Sequence, residues 1–89
     1  METNINKNKI FQELKNMVHK EFQIVTDDLE LSTQLFDGGL YLDSIQMIEL
    51  TVAIENCYGF EFGVDMLIED NFRSFDILSD LILKILAGI

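Results

Sequence analysis

The chain of 89 residues contains no proline, one cysteine, one histidine and only six Lys and Arg. Each scarcity excludes something. Without proline or a Gly/Ser-rich tract there is no linker, and residues 1–89 read as a single domain. Cys57 alone cannot form an internal disulfide. No apolar run approaches the ~20 residues that a membrane helix needs. Met1-Glu2-Thr3-Asn4 does not open a charged-then-apolar signal sequence. These features predict a soluble, cytoplasmic protein.

The shortage of cations is the most telling. Residues 21–72 hold twelve Asp and Glu and no Lys or Arg, whereas residues 1–20 balance at +2 and residues 73–89 at zero, giving the net charge of -10. A cation-free middle cannot neutralise phosphates, which excludes nucleic-acid binding as a primary role. Anionic membrane surfaces recruit basic clusters, so they are excluded on the same ground. Disorder is excluded too, because the chain is 48% hydrophobic with a mean hydropathy of +0.18. A domain this small leaves little room for a deep substrate cavity. The sequence has no Gly-x-Ser-x-Gly, no P-loop and no paired-Cys spacing. It is expected to be a partner or substrate of enzymes and not an enzyme.

What is present is helical periodicity. Ile10, Phe11, Leu14, Met17, Val18 and Phe22 make one stripe over a first helix from about Asn4 to Phe22, with Asn4 or Asn6 as its cap. His19 near its end reads as a solvent-facing residue suited to the macrodipole. Residues 23–42 have no period and form a loop of about 20 residues, longer than an ordinary connection. Its apolar members predict that it packs over the core, and Gly38-Gly39 marks a turn. Asp43 followed by Gln46 is an Asp variant of the capping box, and Leu42 and Met47 occupy the staple positions. Gly59 supplies a left-handed terminator, so a second helix spans about Ser44 to Tyr58. It carries two apolar stripes. Leu50, Ala53, Ile54, Cys57 and Tyr58 form a core side, while Ile45, Ile48 and Val52 lie beside Glu49 and Glu55. Asp65 to Asp70 predicts a short helix, and Ser74 caps a last one bearing Phe75, Leu78, Leu81, Ile82, Ile85 and Leu86. The fold class is all-α: a small four-helix bundle, three longer helices plus one short, with a long first loop.

Few residues offer chemistry. Asp37, Asp43 and Glu49 recur every six residues, but Gly39, Tyr41 and Ile48 stand where an EF-hand needs oxygen ligands. Cys57, on the core side with no neighbouring cation, reads as a small hydrophobe. Ser44 differs. The capping logic puts it at the first helical position, where unpaired N–H groups and the positive helix pole suit a phosphate group.

Leu35-Phe36-Asp37-Gly38-Gly39-Leu40-Tyr41-Leu42-Asp43-Ser44-Ile45, followed by Glu49-Leu50 and Ile54-Glu55-Asn56, resembles the acyl carrier protein family. The likeness runs from about Ile10 to Ile85. There are departures: Gly63 stands where the family often has proline, Ser32 where the loop often has Asp, and Tyr41 where a small residue is usual. The resemblance implies that a phosphopantetheinyl transferase, with magnesium and coenzyme A, attaches 4′-phosphopantetheine to Ser44. The arm would carry acyl groups as thioesters for fatty-acid or specialised polyketide-type biosynthesis. It also implies that Ile45, Ile48 and Val52 form an apolar contact strip beside the serine, and that Asp43, Glu49 and Glu55 border it and meet basic patches on the transferase and on acyl-loading, ketosynthase or other acyl-processing enzymes. Ile54, Phe62 and Phe72 would line a gap for the acyl chain, and the carrier would be a monomer. Two rivals stay open: a D-alanyl or peptidyl carrier, and an unmodified acidic helical interaction module.

Overall fold

The computed structural model describes residues 6–88. Asn4, the alternative first cap, and the chain start lie outside the described residues. Among the described residues there are three α-helices: α1 (Lys7–Phe22), α2 (Ser44–Tyr58) and α3 (Phe75–Leu86). Each begins where a short polar side chain takes up an orphan N–H. Asn6 accepts from Lys9, Asp43 from Gln46 and Ser74 from Ile77. α1 ends at Gln23 in the left-handed region, and α2 ends at Gly59 at φ 76°.

The expected fourth helix is absent from the described residues. Two single 3₁₀ turns stand in its place, Val64–Met66 and Glu69–Phe72. Neither has a side-chain cap, and Ile68 between them is extended. A lone helical turn gains too few hydrogen bonds to offset its nucleation, so the segment stays in short pieces. Asn71 holds these together, its Nδ2 donating to the Met66 carbonyl at 2.9 Å.

α1 packs against both α2 and α3. Ile10, Phe11, Leu14 and Val18 of α1 meet a common core with Leu50, Ile54, Phe75, Leu78 and Ile82. Burying each such aliphatic side chain is worth about 1.5–3 kcal/mol relative to exposure. The Phe11 and Phe75 rings meet edge to face with centroids 5.4 Å apart. Around this core lie two polar clasps. Lys7 pairs with Asp76, and with Asp80 at 3.2 Å, across α1 and α3. The Tyr58 hydroxyl donates to Glu13 across α1 and α2. Burial, with the Glu13 carboxylate beside it, pushes the Tyr58 phenol far above its ordinary range.

The long loop packs as predicted. Leu35 is fully buried, and its N–H donates to the Arg73 carbonyl at 3.0 Å. Phe75 and Asp76 return hydrogen bonds to the carbonyls of Thr33 and Leu31. The loop is thereby stitched to the start of α3. Gly38 turns at φ 84°, and any Cβ on Gly39 would run into the Gln34 carbonyl, so this turn admits only glycine at the second position.

Candidate functional site

The site begins with the entry to α2. The capping box is complete: Gln46 N–H donates to Asp43 Oδ1 at 2.8 Å, and Asp43 N–H donates to Gln46 Oε1 at 3.0 Å. Leu42, just before the cap, is buried, and its N–H donates to the Leu35 carbonyl at 2.9 Å. The helix start is therefore fixed to the loop and the core on its inner side. Ser44 follows at the first helical position with its side chain in solvent. The N–H groups of Ser44 and Ile45 have no acceptor within the helix, and they place partial positive charge beside the Ser44 hydroxyl.

Tyr41 is an exception to the local backbone rules. It sits at φ 57°, in a region that L side chains enter at a cost of roughly 1–2 kcal/mol. Hydrogen bonds hold it there. Tyr41 N–H donates to the Phe36 carbonyl at 3.0 Å, and Leu40 N–H to the Gln34 carbonyl at 2.9 Å. Tyr41 as a residue nonetheless remains 69% exposed, so burial does not offset the backbone cost.

On the outer face of α2, Ile45, Ile48 and Val52 are 70%, 64% and 48% exposed. Three branched aliphatic side chains on one helical face form an apolar strip open to contact. Glu49 is exposed beside them. Glu55 has a different duty. It is half-buried, and its Oε2 accepts the Phe62 N–H at 2.9 Å, so it fastens the chain that follows α2.

A shallow depression lined by Phe36, Leu42, Asp43, Ser44, Met47, Ile48 and Glu69 opens at the serine. It shares Phe36, Met47, Ile48 and Glu69 with a more apolar groove of about 280 Å³. That groove runs between α2, through Thr51 and Val52, and the 3₁₀ segment, through Leu67, Ile68 and Phe72. One track thus leads from the Ser44 hydroxyl into an apolar cleft. Of the three residues expected to line a cleft, Phe72 does so. Ile54 and Phe62 are buried in the core and do not line it, with the Phe62 and Phe72 ring centroids 5.5 Å apart. Met47, expected as a staple residue, and Thr51 also line the groove, as neighbours of Ile48 and Val52 on the helix. Leu67, Ile68 and Glu69, expected within a short helix, reach the groove from the broken 3₁₀ segment instead.

Cys57 is not on the core side. It is exposed, in a shallow depression shared with Glu13, Met17 and Ala53 between α1 and α2. Because α2 is apolar on two faces, its stripe could be read one flank too wide, and Leu50 and Ile54 mark its true centre. Burial, then the Glu13 charge, pushes the Cys57 thiol above its ordinary value, which keeps it a poor nucleophile at neutral pH.

Three helices around one core, a capped and exposed serine and an apolar track beside it define a small helical carrier. Comparison with known proteins agrees. The family described as phosphopantetheine attachment site matches residues 12–75. The acyl carrier protein of Coprothermobacter proteolyticus is 34% identical over 59 residues, covering 66% of this chain and 71% of that protein. A chain in the crystal structure of Bradyrhizobium japonicum glycine:carrier protein ligase complexed with glycylated carrier protein superposes with a TM-score of 0.63. That match has 23% identity and covers 84% of this chain and 96% of that one. The chain belongs to the acyl carrier protein family. It is accordingly a carrier that enzymes act on, not an enzyme, and its cofactor is covalent 4′-phosphopantetheine, whose terminal thiol holds the cargo as a thioester. The α2 entry fits that group. Asp43 is occupied by its own helix, leaving an exposed hydroxyl beside unpaired N–H groups that suit a phosphodiester.

Proposed function

We propose that Ser44 is the attachment residue and that the chain carries acyl intermediates for fatty-acid or polyketide-type biosynthesis. The observation that carries this reading is the apolar track from Ser44 into the cleft between α2 and the 3₁₀ segment. In the loading step, Ser44 Oγ attacks the phosphorus of coenzyme A that bears the pantetheine. The new P–O bond forms as the pyrophosphate bond breaks, and adenosine 3′,5′-bisphosphate departs as the leaving group. The hydroxyl proton passes to a base of the transferase, since the carrier places no base of its own on Ser44. Each methylene of a carried acyl chain that leaves water for the cleft contributes up to about 0.8 kcal/mol.

Partner enzymes then meet α2. Ile45, Ile48 and Val52 act as anchors, and Asp43 and Glu49 steer basic patches towards the serine. Phe72 floors the cleft, with Ile54 and Phe62 in the core. The carrier works as a cytoplasmic monomer, serving a phosphopantetheinyl transferase and acyl-loading or ketosynthase enzymes. An aminoacyl cargo is the second reading. Its support is the glycylated state of the carrier in the fold neighbour.

Intact mass after co-expression with a broad-specificity transferase tests the attachment. One added phosphopantetheine is expected in the wild type and none in Ser44→Ala. Loading that persists in Ser44→Ala removes the assignment. Offering the holo carrier medium-chain acyl-coenzyme A with an acyltransferase, or amino acids with an adenylating ligase, then separates the two cargoes.

A further inference from the structure

We propose that Tyr41 is a specificity-determining contact for the enzyme that loads Ser44, and this rests on Ser44 being the attachment residue. Three observations converge. Tyr41 is held at φ 57° where glycine or asparagine would fit more easily, by backbone hydrogen bonds to the Gln34–Phe36 segment. The residue is 69% exposed and its hydroxyl has no partner among the described residues. It is absent from the walls of the apolar track, so its ring does not build the cleft beside Ser44. A costly backbone conformation that presents an exposed aromatic residue points to a use outside the folded chain.

Position names the partner. Three residues of extended chain span at most about 11 Å, so Tyr41 lies within that distance of Ser44. An enzyme covering a standard patch of about 800 Å² centred on Ser44 reaches a radius of about 16 Å. A transferase patch of that size centred on Ser44 therefore extends past the Tyr41 backbone. Tyrosine is among the residues that most often dominate such contacts, because one rigid ring offers a large apolar face at small entropic cost. Ile45 on the other side of Ser44 is similarly exposed, and the two would bracket the hydroxyl within the complex.

Two variants test this. Tyr41→Asn removes the ring and keeps a side chain that tolerates a left-handed backbone, while Tyr41→Phe keeps the ring. Initial rates of loading are measured with a broad-specificity phosphopantetheinyl transferase and coenzyme A, with melting temperature in parallel. Tyr41→Asn is expected to melt at or above the wild type, yet raise the KM for the carrier at least fivefold with kcat within twofold. Tyr41→Phe is expected to stay within twofold in both. An unchanged KM in Tyr41→Asn, an equal loss in Tyr41→Phe, or a loss that tracks a lowered melting temperature overturns the proposal. If the wild type itself is not loaded at Ser44, the attachment reading fails and this inference falls with it.

Discussion

The α1–α3 half and the α2 half of this protein are built by different rules. α1 and α3 each bury one stripe, with Ile77 the one large apolar residue they leave exposed among the described residues, and they are clasped by Phe11 on Phe75 and by Lys7 on Asp76 and Asp80. α2 is anchored only by Leu50 and Ile54 as fully buried residues, while it exposes Ile45, Ile48 and Val52. The acids of residues 21–72 have one cation partner among the described residues, Arg73 on Asp70. The first half is arranged to hold the fold. The second spends apolar surface and like charge in ways that folding alone does not reward.

Truncations at the two ends of this contrast should diverge most. Phe75→Ala, at a fully buried ring between α1 and α3, is expected to cost about 3–5 kcal/mol by chemical denaturation. Ile48→Ala is expected to change stability by no more than about 0.5 kcal/mol, while weakening partner binding. Comparable stability losses at the two positions would dissolve the comparison. Gly39→Ala comes next, at about 2–4 kcal/mol, because the new methyl overlaps the Gln34 carbonyl and the loop must give way. That loss would show that the loop over α2 is as firmly built as the core, although it has no regular structure. Asp43→Ala should cost about 1 kcal/mol from the broken capping box, with Asp43→Asn restoring most of it. If loading at Ser44 falls with Ala and recovers with Asn, Asp43 acts through the helix start. If it falls with both, the charge itself is read.

The same contrast explains what the sequence discloses. Residues whose role is local were legible. Asp43 and Gln46 declare the start of α2, Gly59 its end and Ser74 the start of α3, because caps depend on neighbours a few positions away. The side of α1 and α3 that faces the core followed from a single stripe. α2 was harder, because two apolar faces leave its rotation undetermined, and Cys57 fell on the wrong side. The groove was not legible, since its second wall is Leu67, Ile68 and Glu69, where a short helix was expected and the chain instead runs extended between two single 3₁₀ turns. Nor was the duty of Glu55, whose carboxylate is claimed by the Phe62 N–H seven residues on. The left-handed backbone at Tyr41 is likewise a product of hydrogen bonds to Phe36 that no pattern announces.

The smallest expected effect bears on charge, and it distinguishes the halves by sign. Glu21 at the end of α1 and Glu49 on α2 line one shallow depression with Ile48 and Val52, and no cation shares it. Their mutual repulsion, added to that of the other acids, opposes compactness at low ionic strength and is screened as the Debye length shortens. Raising salt from about 10 to 150 mM should therefore lift the melting temperature by a few degrees, roughly the change that about 0.5 kcal/mol produces in a domain of this size. Glu49→Gln should flatten that slope, whereas Asp80→Asn, which removes a partner of Lys7, should leave it unchanged or steepen it. A slope that is flat in the wild type, or equal in the two variants, contradicts the reading. The same salt should weaken docking of a basic partner, because the charges that repel within the carrier are those that steer the encounter. Opposite responses of stability and binding, both diminished in Glu49→Gln, would tie the acidic face to its partner through one residue.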